Sequence, residues 1–386
     1  MVTILDSTLR EGEQTPGVYF DPHVKLAIAE RLDRIGVGII EAGHPVVGVE
    51  VAEGVRLISA RSFQARIGAH ARSLKRDIDE ALDCGAEFLG IFYCVADERL
   101  RDYSSTLTQA VDRICEAVAY ARSRKPDLWI RYTPEDAVRS PRENVLTAAA
   151  EAVRAGADII SIADTTGYLI PGSARTMSGW VRRLREHLEV CGLEARIALH
   201  CHNDRGLALA NAIDGFQAGA DIIDVSVLGL GERAGIVDMA SLLAVLSQDF
   251  PGQTGWNLEA LPELYRVVSR YSGVPIPVNL PVCGRNAFTH CAGIHTQASL
   301  KNPLHYQSLD PAPFGRRSEI ALDHMSGLAA LQHSLERIGV ADLNREMTSQ
   351  VLKQVKEVGQ KGRTVDVEEL GWIVRSLQDC RESQVA

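Results

Sequence analysis

The stretch ALHCHNDRG (198–206) places His200 and His202 two residues apart at the end of an apolar, partly β-branched run, ARIALH (195–200). Residues i and i+2 of a strand project from one face, so both imidazoles stand side by side at the C-terminal end of a strand. Neutral imidazole is both an adaptable hydrogen-bonder and the commonest metal ligand. The pair therefore reads either as satisfied core histidines or as two ligands. Far upstream, DSTLREGEQTPG (6–17) ends another apolar run, VTILD (2–6), with an arginine beside a carboxylate, Arg10–Glu11. On a surface that is an ordinary ion pair of little energetic value. Where the two strand ends meet, one carboxylate and two imidazoles face a divalent cation and leave positions open for substrate, as a catalytic metal site requires.

The elements that must bring them together recur through the first two-thirds of the chain. IGVGIIEAG (35–43), CGAEFLGIFYC (84–94), AGADIISIAD (155–164) and AGADIIDVSV (218–227) share one grammar: a glycine suited to ending a helix, a short link, then a buried strand. Amphipathic stretches such as HVKLAIAERLDRI (23–35) and PRENVLTAAAEAVRA (141–155) separate them. With VTILD, ARIGAH (65–70), LWIRYT (128–133) and ARIALH the count reaches eight strands. Eight β/α units over about 250 residues predict an α/β fold of the (β/α)8 TIM-barrel type. A doubly wound open sheet is the alternative, but no GxGxxG follows the first strand. In the barrel, active sites lie at the strands' C-terminal ends. Those ends carry Asp6 to Gln14, Glu41, His70, Arg131 to Asp136, Asp164 to Gly167, His200 to Asp204, and LGLGERAG (228–235). The expected organisation is a catalytic barrel over 1–265, a Pro-rich irregular linker subdomain over 266–322 and a small helical subdomain over 323–386.

Composition narrows the partners. The 386-residue chain carries a formal net charge of −9, with 24% charged residues and no basic stripe, which argues against a nucleic-acid binder. No apolar run is long enough to span a membrane, and MVTILD leads directly into a charged motif without a signal-peptide pattern. Eight scattered cysteines form no CxxC pair, so neither a zinc ribbon nor a small disulfide scaffold is expected. The expectation is a reduced, cytoplasmic protein.

LDSTLREGEQ, LHCHNDRG and GLGERAG, in this order and at these intervals, resemble the metal-dependent acetyl-CoA Claisen-condensing enzymes: homocitrate, isopropylmalate and citramalate synthases. The likeness extends to FTHCAGIH (288–295) and so covers most of the chain. The resemblance implies a divalent metal (Mg, Mn or Zn) held by Glu11, His200 and His202, with Arg10 over the reacting carbonyl and Gln14 beside it. It implies acetyl-CoA as co-substrate and a 2-oxo acid as acceptor. It assigns acid/base work to His295 and Tyr306, with Glu135 of RYTPED as a further candidate. It also implies a homodimer in which His295 and Tyr306 reach the partner's barrel. The same barrel and metal motif serve lyases and carboxyl-transferring domains, but GIH…NPLHY favours the synthases.

Arg131 bears most on the acceptor. Isopropylmalate synthases resemble this region but carry an acidic residue in its place, whereas an arginine implies a second anion on the substrate. The competing reading is that Arg131 only pairs with Glu135 or Asp136. His70 and Thr133 would assist Arg131, and Thr165 is the expected contact to the C1 carboxylate. Arg131, His70, the Glu of LREGEQ and the apolar Ile236 after GERAG resemble the homocitrate synthase branch, which implies 2-oxoglutarate. Two features depart from that branch: TPG after EGEQ, and Ala198 where a glutamate is expected to face the pocket. A phosphonopyruvate-using 2-phosphonomethylmalate synthase is the first alternative, ahead of isopropylmalate or citramalate synthase.

Overall fold

A computed structural model of the chain describes residues 1–340 and 343–385. It divides into two compact units, Met1–Ile276 and Pro277–Ala386.

In the first unit, eight parallel strands close into a barrel in sequence order: β1 (Thr3–Asp6), β2 (Ile39–Glu41), β3 (Arg66–Arg72), β4 (Phe88–Cys94), β5 (Trp129–Glu135), β6 (Ile159–Asp164), β7 (Arg196–Cys201) and β8 (Ile222–Val225), with β8 pairing back onto β1. All eight coincide with the expected runs. The helices between them are built by local signals. The helix Pro22–Ile35 starts where the Asp21 carboxylate accepts from the amides of His23 and Val24, with Pro22 in the first turn. It stops at Gly36, whose φ of 94° is the left-handed conformation that glycine adopts freely. Ile28, Leu32 and Ile35 then form its buried face.

Inside the barrel, side chains alternate between two fates. Leu5, Ile39, Phe88, Ile159, Ala198 and Ile222 form a buried apolar layer, the packed interior typical of this fold. Below it the Trp129 ring lies between the Arg66 and Arg196 guanidiniums, 4.3 and 4.4 Å from its centroid. Two residues further along, six of the strands place polar side chains inward (Glu41, His70, Arg131, Ser161, His200 and Asp224), while β4 places Gly90 there. The apolar layer is the floor on which that polar set rests.

The first unit runs past the expected boundary at 265, which falls inside the helix Leu261–Ser272. That helix belongs to the barrel because the Tyr265 hydroxyl donates to Asp238 at 2.6 Å and accepts from the Ala240 amide at 2.8 Å. The second unit joins the two subdomains expected at 266–322 and 323–386. Helices Leu328–Arg337, Arg345–Gly359 and Val367–Val385 pack around Leu331, Leu335, Val351, Val355, Leu370 and Ile373. The segment expected to be irregular contains a helix, Gly293–Lys301, because no proline interrupts the chain between Pro281 and Pro303. Among the described residues, no helix is long and apolar enough to cross a membrane.

Candidate active site

The expected ligand set converges. Glu11 at the end of β1 and His200 and His202 on and after β7 bring their ligand atoms within 4.8 Å of one another. The two Nε2 atoms stand 3.3 Å apart, and Glu11 oxygens lie 4.0 and 3.9 Å from them. All three residues are buried, so Arg10–Glu11 is an internal ion pair. His200 Nδ1 donates to Asp224 at 2.9 Å, which turns its Nε2 lone pair toward the cluster. Burial and the neighbouring His200 lower His202 to about 4, so its ring is neutral. Two imidazoles with their Nε2 atoms facing each other beside a carboxylate are a donor set suited to a divalent cation.

Glu11 is held as a carboxylate. Burial alone would raise its pKa, but Arg10, with His200 and His202, outweighs that and lowers it. The Glu232 amide donates to Glu11 at 3.1 Å, and Gln14, with its amide nitrogen turned inward, reaches both Glu11 oxygens at 2.8 and 3.1 Å. The GLGERAG loop is thus a clamp. Gly235 (φ 75°) lies so close to Gly229 that a Cβ would meet the Gly229 carbonyl oxygen at 1.7 Å. Arg233 donates to Asp204 at 2.7 Å and to the Thr165 carbonyl at 2.6 Å. Ile236, buried, pairs its backbone with His202.

Beside the three-residue cluster, the Arg131 guanidinium lies over Phe88, 5.2 Å from the ring centroid. Its partners are Asp224 (2.9 and 3.1 Å) and Glu41 (3.0 Å), and the competing reading's pairing with Glu135 or Asp136 is absent among the described residues. Glu41 also accepts from Arg10 Nε and Ser7 at 2.6 Å each and faces His70 Nδ1 at 3.2 Å. Burial opposes its ionisation, but Arg10, Arg131 and His70 hold it well below the usual carboxylate range. His70 is lowered to about 4 by burial and by Arg10, and its ring stacks on Phe92 at 4.8 Å. Gly90 makes this cluster fit: a Cβ there would meet His70 Nδ1 at 3.0 Å and Arg131 Nη2 at 3.3 Å. Six side chains consequently close a circuit around the barrel mouth: Glu41, Arg10, Glu11, His200, Asp224 and Arg131.

A cavity of about 230 Å³ opens onto these groups and is also lined by Gln14, Thr133, Glu135 and Thr165. Glu135 stands at its rim, bound to Arg99 at 2.9 Å, and the Thr165 hydroxyl accepts from the Asp136 amide at 3.0 Å. Ala198, expected to face the acceptor, sits instead in the fully buried apolar layer. Alternation correctly aims it inward, but its height in the barrel is one layer too low. In the second unit, His295 and Tyr306 come together with ring centroids 4.2 Å apart. Asp224, Ser161 and His44 also belong to the site or its lining and carried no sequence assignment. An acid inside the apolar run ADIIDVSV, in phase with the inward positions, was the available signal for Asp224. A larger groove of about 790 Å³ lies at the opposite barrel end, where Arg122 is paired with Asp158 and Arg185 with Asp221.

Residues 1–268 match the HMGL-like family, and residues 282–363 match the domain described as homocitrate synthase post-HMGL domain-like. The homocitrate synthase of Pyrococcus horikoshii is 42% identical over 92% of this chain and 94% of its own. The homocitrate synthase AksA of Methanocaldococcus jannaschii is 38% identical over 97% of this chain and 91% of its own. Among solved structures, the HMG-CoA lyase of Bacillus subtilis superposes with a TM-score of 0.60 at 22% identity, covering 74% of this chain and 96% of the lyase. That likeness is one of fold. Barrel, following domain and relatives agree, and the chain belongs to the HMGL-like family of enzymes, in its homocitrate synthase branch.

Proposed function

We propose that the protein is a homocitrate synthase, condensing acetyl-CoA with 2-oxoglutarate and hydrolysing the product thioester to homocitrate and CoA. The observation that carries this reading is the placement, in one cavity, of a three-residue cation donor set beside a buried arginine. One end of the cavity suits a 2-oxo acid head, and the other suits a distal anion.

Glu11, His200 and His202 are the residues to hold a divalent cation (Mg, Mn or Zn). When bound, the cation supplies Lewis-acid polarisation of the keto group. Arg10, fixed by Glu41 and Glu11, places a permanent positive charge where the alkoxide develops as the methyl carbon of acetyl-CoA bonds to the keto carbon. Gln14 steadies Glu11, Thr165 offers its hydroxyl proton to the C1 carboxylate, and Arg131, Thr133 and His70 address the distal carboxylate. His70, neutral above about pH 4, adds no charge of its own. Glu135, His295 and Tyr306 are assigned the proton traffic: removal of a methyl proton, protonation of the alkoxide and activation of the water that cleaves the thioester. His295 and Tyr306 come from the partner chain of a cytoplasmic homodimer.

Two experiments test this. The first measures thiol release from acetyl-CoA with 2-oxoglutarate, oxaloacetate, phosphonopyruvate, 2-oxoisovalerate and pyruvate. The highest kcat/KM is expected with 2-oxoglutarate. A preference for phosphonopyruvate would make the protein a 2-phosphonomethylmalate synthase, and no release with any acid would refute condensation. The second co-refolds a His200→Ala chain with a His295→Ala chain. Shared sites restore activity, because one site of each heterodimer then carries neither lesion. A dead mixture, with heterodimers confirmed by mass, would refute sharing.

A further inference from the structure

Arg131 Nε, Thr133 Oγ1 and Ser161 Oγ are buried and have no hydrogen-bond partner among the described residues, and all three residues line the cavity. A buried polar atom without a partner is costly and uncommon, so each such atom calls for an explanation. Arg131 and Thr133 already have one in the distal carboxylate, but Ser161 has none. It makes no internal hydrogen bond that would justify a hydroxyl, and its neighbours at the inward positions of β6 are Ile159 and Ala163, neither of them polar.

The sheet register supplies the connection. Arg131 lies opposite Ile159 and Tyr132 opposite Ile160, so the next step sets Thr133 beside Ser161. On its other side, Ser161 lies opposite Ala198. A methyl group there cannot engage the serine hydroxyl, whereas a polar side chain on the neighbouring strand would compete for it. Ala198, itself below the cavity, thereby leaves Ser161 to a ligand.

We propose that Ser161 is a specificity-determining residue whose hydroxyl donates to the distal carboxylate of the acceptor acid. With Arg131 Nε and Thr133 Oγ1 it completes a three-donor cradle spanning β5 and β6. This rests on reading the cavity as the site of a 2-oxo acid with a second anionic group. Water bound to Ser161 in place of the carboxylate is the competing explanation.

The test is calorimetric binding to the full-length, Mn-loaded protein of 2-oxoglutarate and of 2-oxovalerate, which has the same chain length without the distal carboxylate. Steady-state thiol release is measured alongside. Ser161→Ala is expected to raise both Kd and KM for 2-oxoglutarate on the order of tenfold, the worth of a hydrogen bond to a charged group. The kcat should stay within about twofold, and 2-oxovalerate binding should not change. Ser161→Cys, which fills the hydroxyl's place with a weak donor instead of emptying it, is expected to behave the same way and guards against a packing effect of the alanine. A wild-type protein that binds both acids equally overturns the substrate reading and this inference with it. A discriminating wild type whose Ser161 variants discriminate as well, or lose both acids equally, overturns the role of Ser161 alone.

Discussion

Replacing Asp224 by asparagine should move two affinities in opposite directions. Asp224 is fully buried and serves two masters: it accepts from His200 Nδ1 at 2.9 Å and from Arg131 Nη1 at 2.9 and 3.1 Å. Asp224→Asn keeps the shape and one acceptor but removes the charge. For the ligand histidine, loss of a carboxylate partner typically weakens metal binding about 10- to 100-fold, or roughly 1.4–2.8 kcal/mol. For Arg131, one of its two counter-charges disappears while Glu41 remains at 3.0 Å. Its guanidinium becomes more available to an incoming anion, and 2-oxoglutarate binding at saturating metal should tighten by about threefold to tenfold. The assay is Mn titration of chelator-stripped protein, followed by titration of 2-oxoglutarate into the loaded protein, with far-UV circular dichroism to confirm folding. Metal affinity within about twofold of wild type would refute the orienting role of Asp224. A weakened affinity for the acid at saturating metal would refute the view that Asp224 restrains Arg131.

Arg131→Ala removes the positive charge that faces the distal anion and leaves Glu41 and Asp224 with one fewer counter-charge each, so it should reduce kcat/KM for 2-oxoglutarate by about ten- to hundredfold more than for 2-oxoisovalerate; equal losses would mean a purely structural arginine. The same variant should lose about 3 kcal/mol or more of stability in a denaturant titration, because breaking a buried ion network leaves unpaired charge. Gly90→Ala removes no functional group but pushes a methyl against His70 and Arg131; KM for the dicarboxylic acid should rise while metal affinity stays constant, and an unchanged KM would show that the cluster yields freely. The pH dependence of stability should carry a His70 signature. Its folded pKa is about 4 against an ordinary 6.5, so between those values the unfolded chain binds a proton that the folded one refuses. Stability is unaffected above pH 6.5, falls by roughly 3 kcal/mol as pH drops to 4, and falls no further below that. His70→Gln should flatten this part of the curve, and parallel curves for the two proteins would contradict a buried neutral histidine.

The barrel was legible because its code is local: an apolar strand, a glycine-ended helix and a repeat of both. The cluster of Glu11, His200 and His202 was legible because HxH sets two imidazoles side by side by strand geometry, leaving only Glu11 to be brought from elsewhere. What escaped depends on register between distant strands. Arg131 and Asp224 are 93 residues apart and Arg131 and Glu41 are 90 apart, so the only internal partners weighed against a substrate anion were the nearer Glu135 and Asp136. Ala198 shows the same limit from another side. Periodicity of two identifies the face of a strand, but the height of a side chain within a tilted barrel depends on stagger between strands, which no single strand records. The helix Gly293–Lys301 was hidden by the prolines on either side of it, and the end of the barrel unit was hidden because Tyr265 anchors to residues some 25 positions earlier.

The closed circuit of Glu41, Arg10, Glu11, His200, Asp224 and Arg131 constrains how such a protein can diverge. Each member answers to two neighbours, so a single exchange breaks two contacts, and a tolerated change would need a second, matching exchange on another strand in the same lineage. Thr133, Ser161 and Ala163 face the same cavity and stand outside the circuit. They can vary one at a time without disturbing either the cation donors or the arginines. Among acceptors that keep a distal anion, change is therefore easiest at the hydroxyl-bearing and small residues of β5 and β6, whereas replacing Arg131 for an acceptor without that anion calls for matching changes at Glu41 and Asp224.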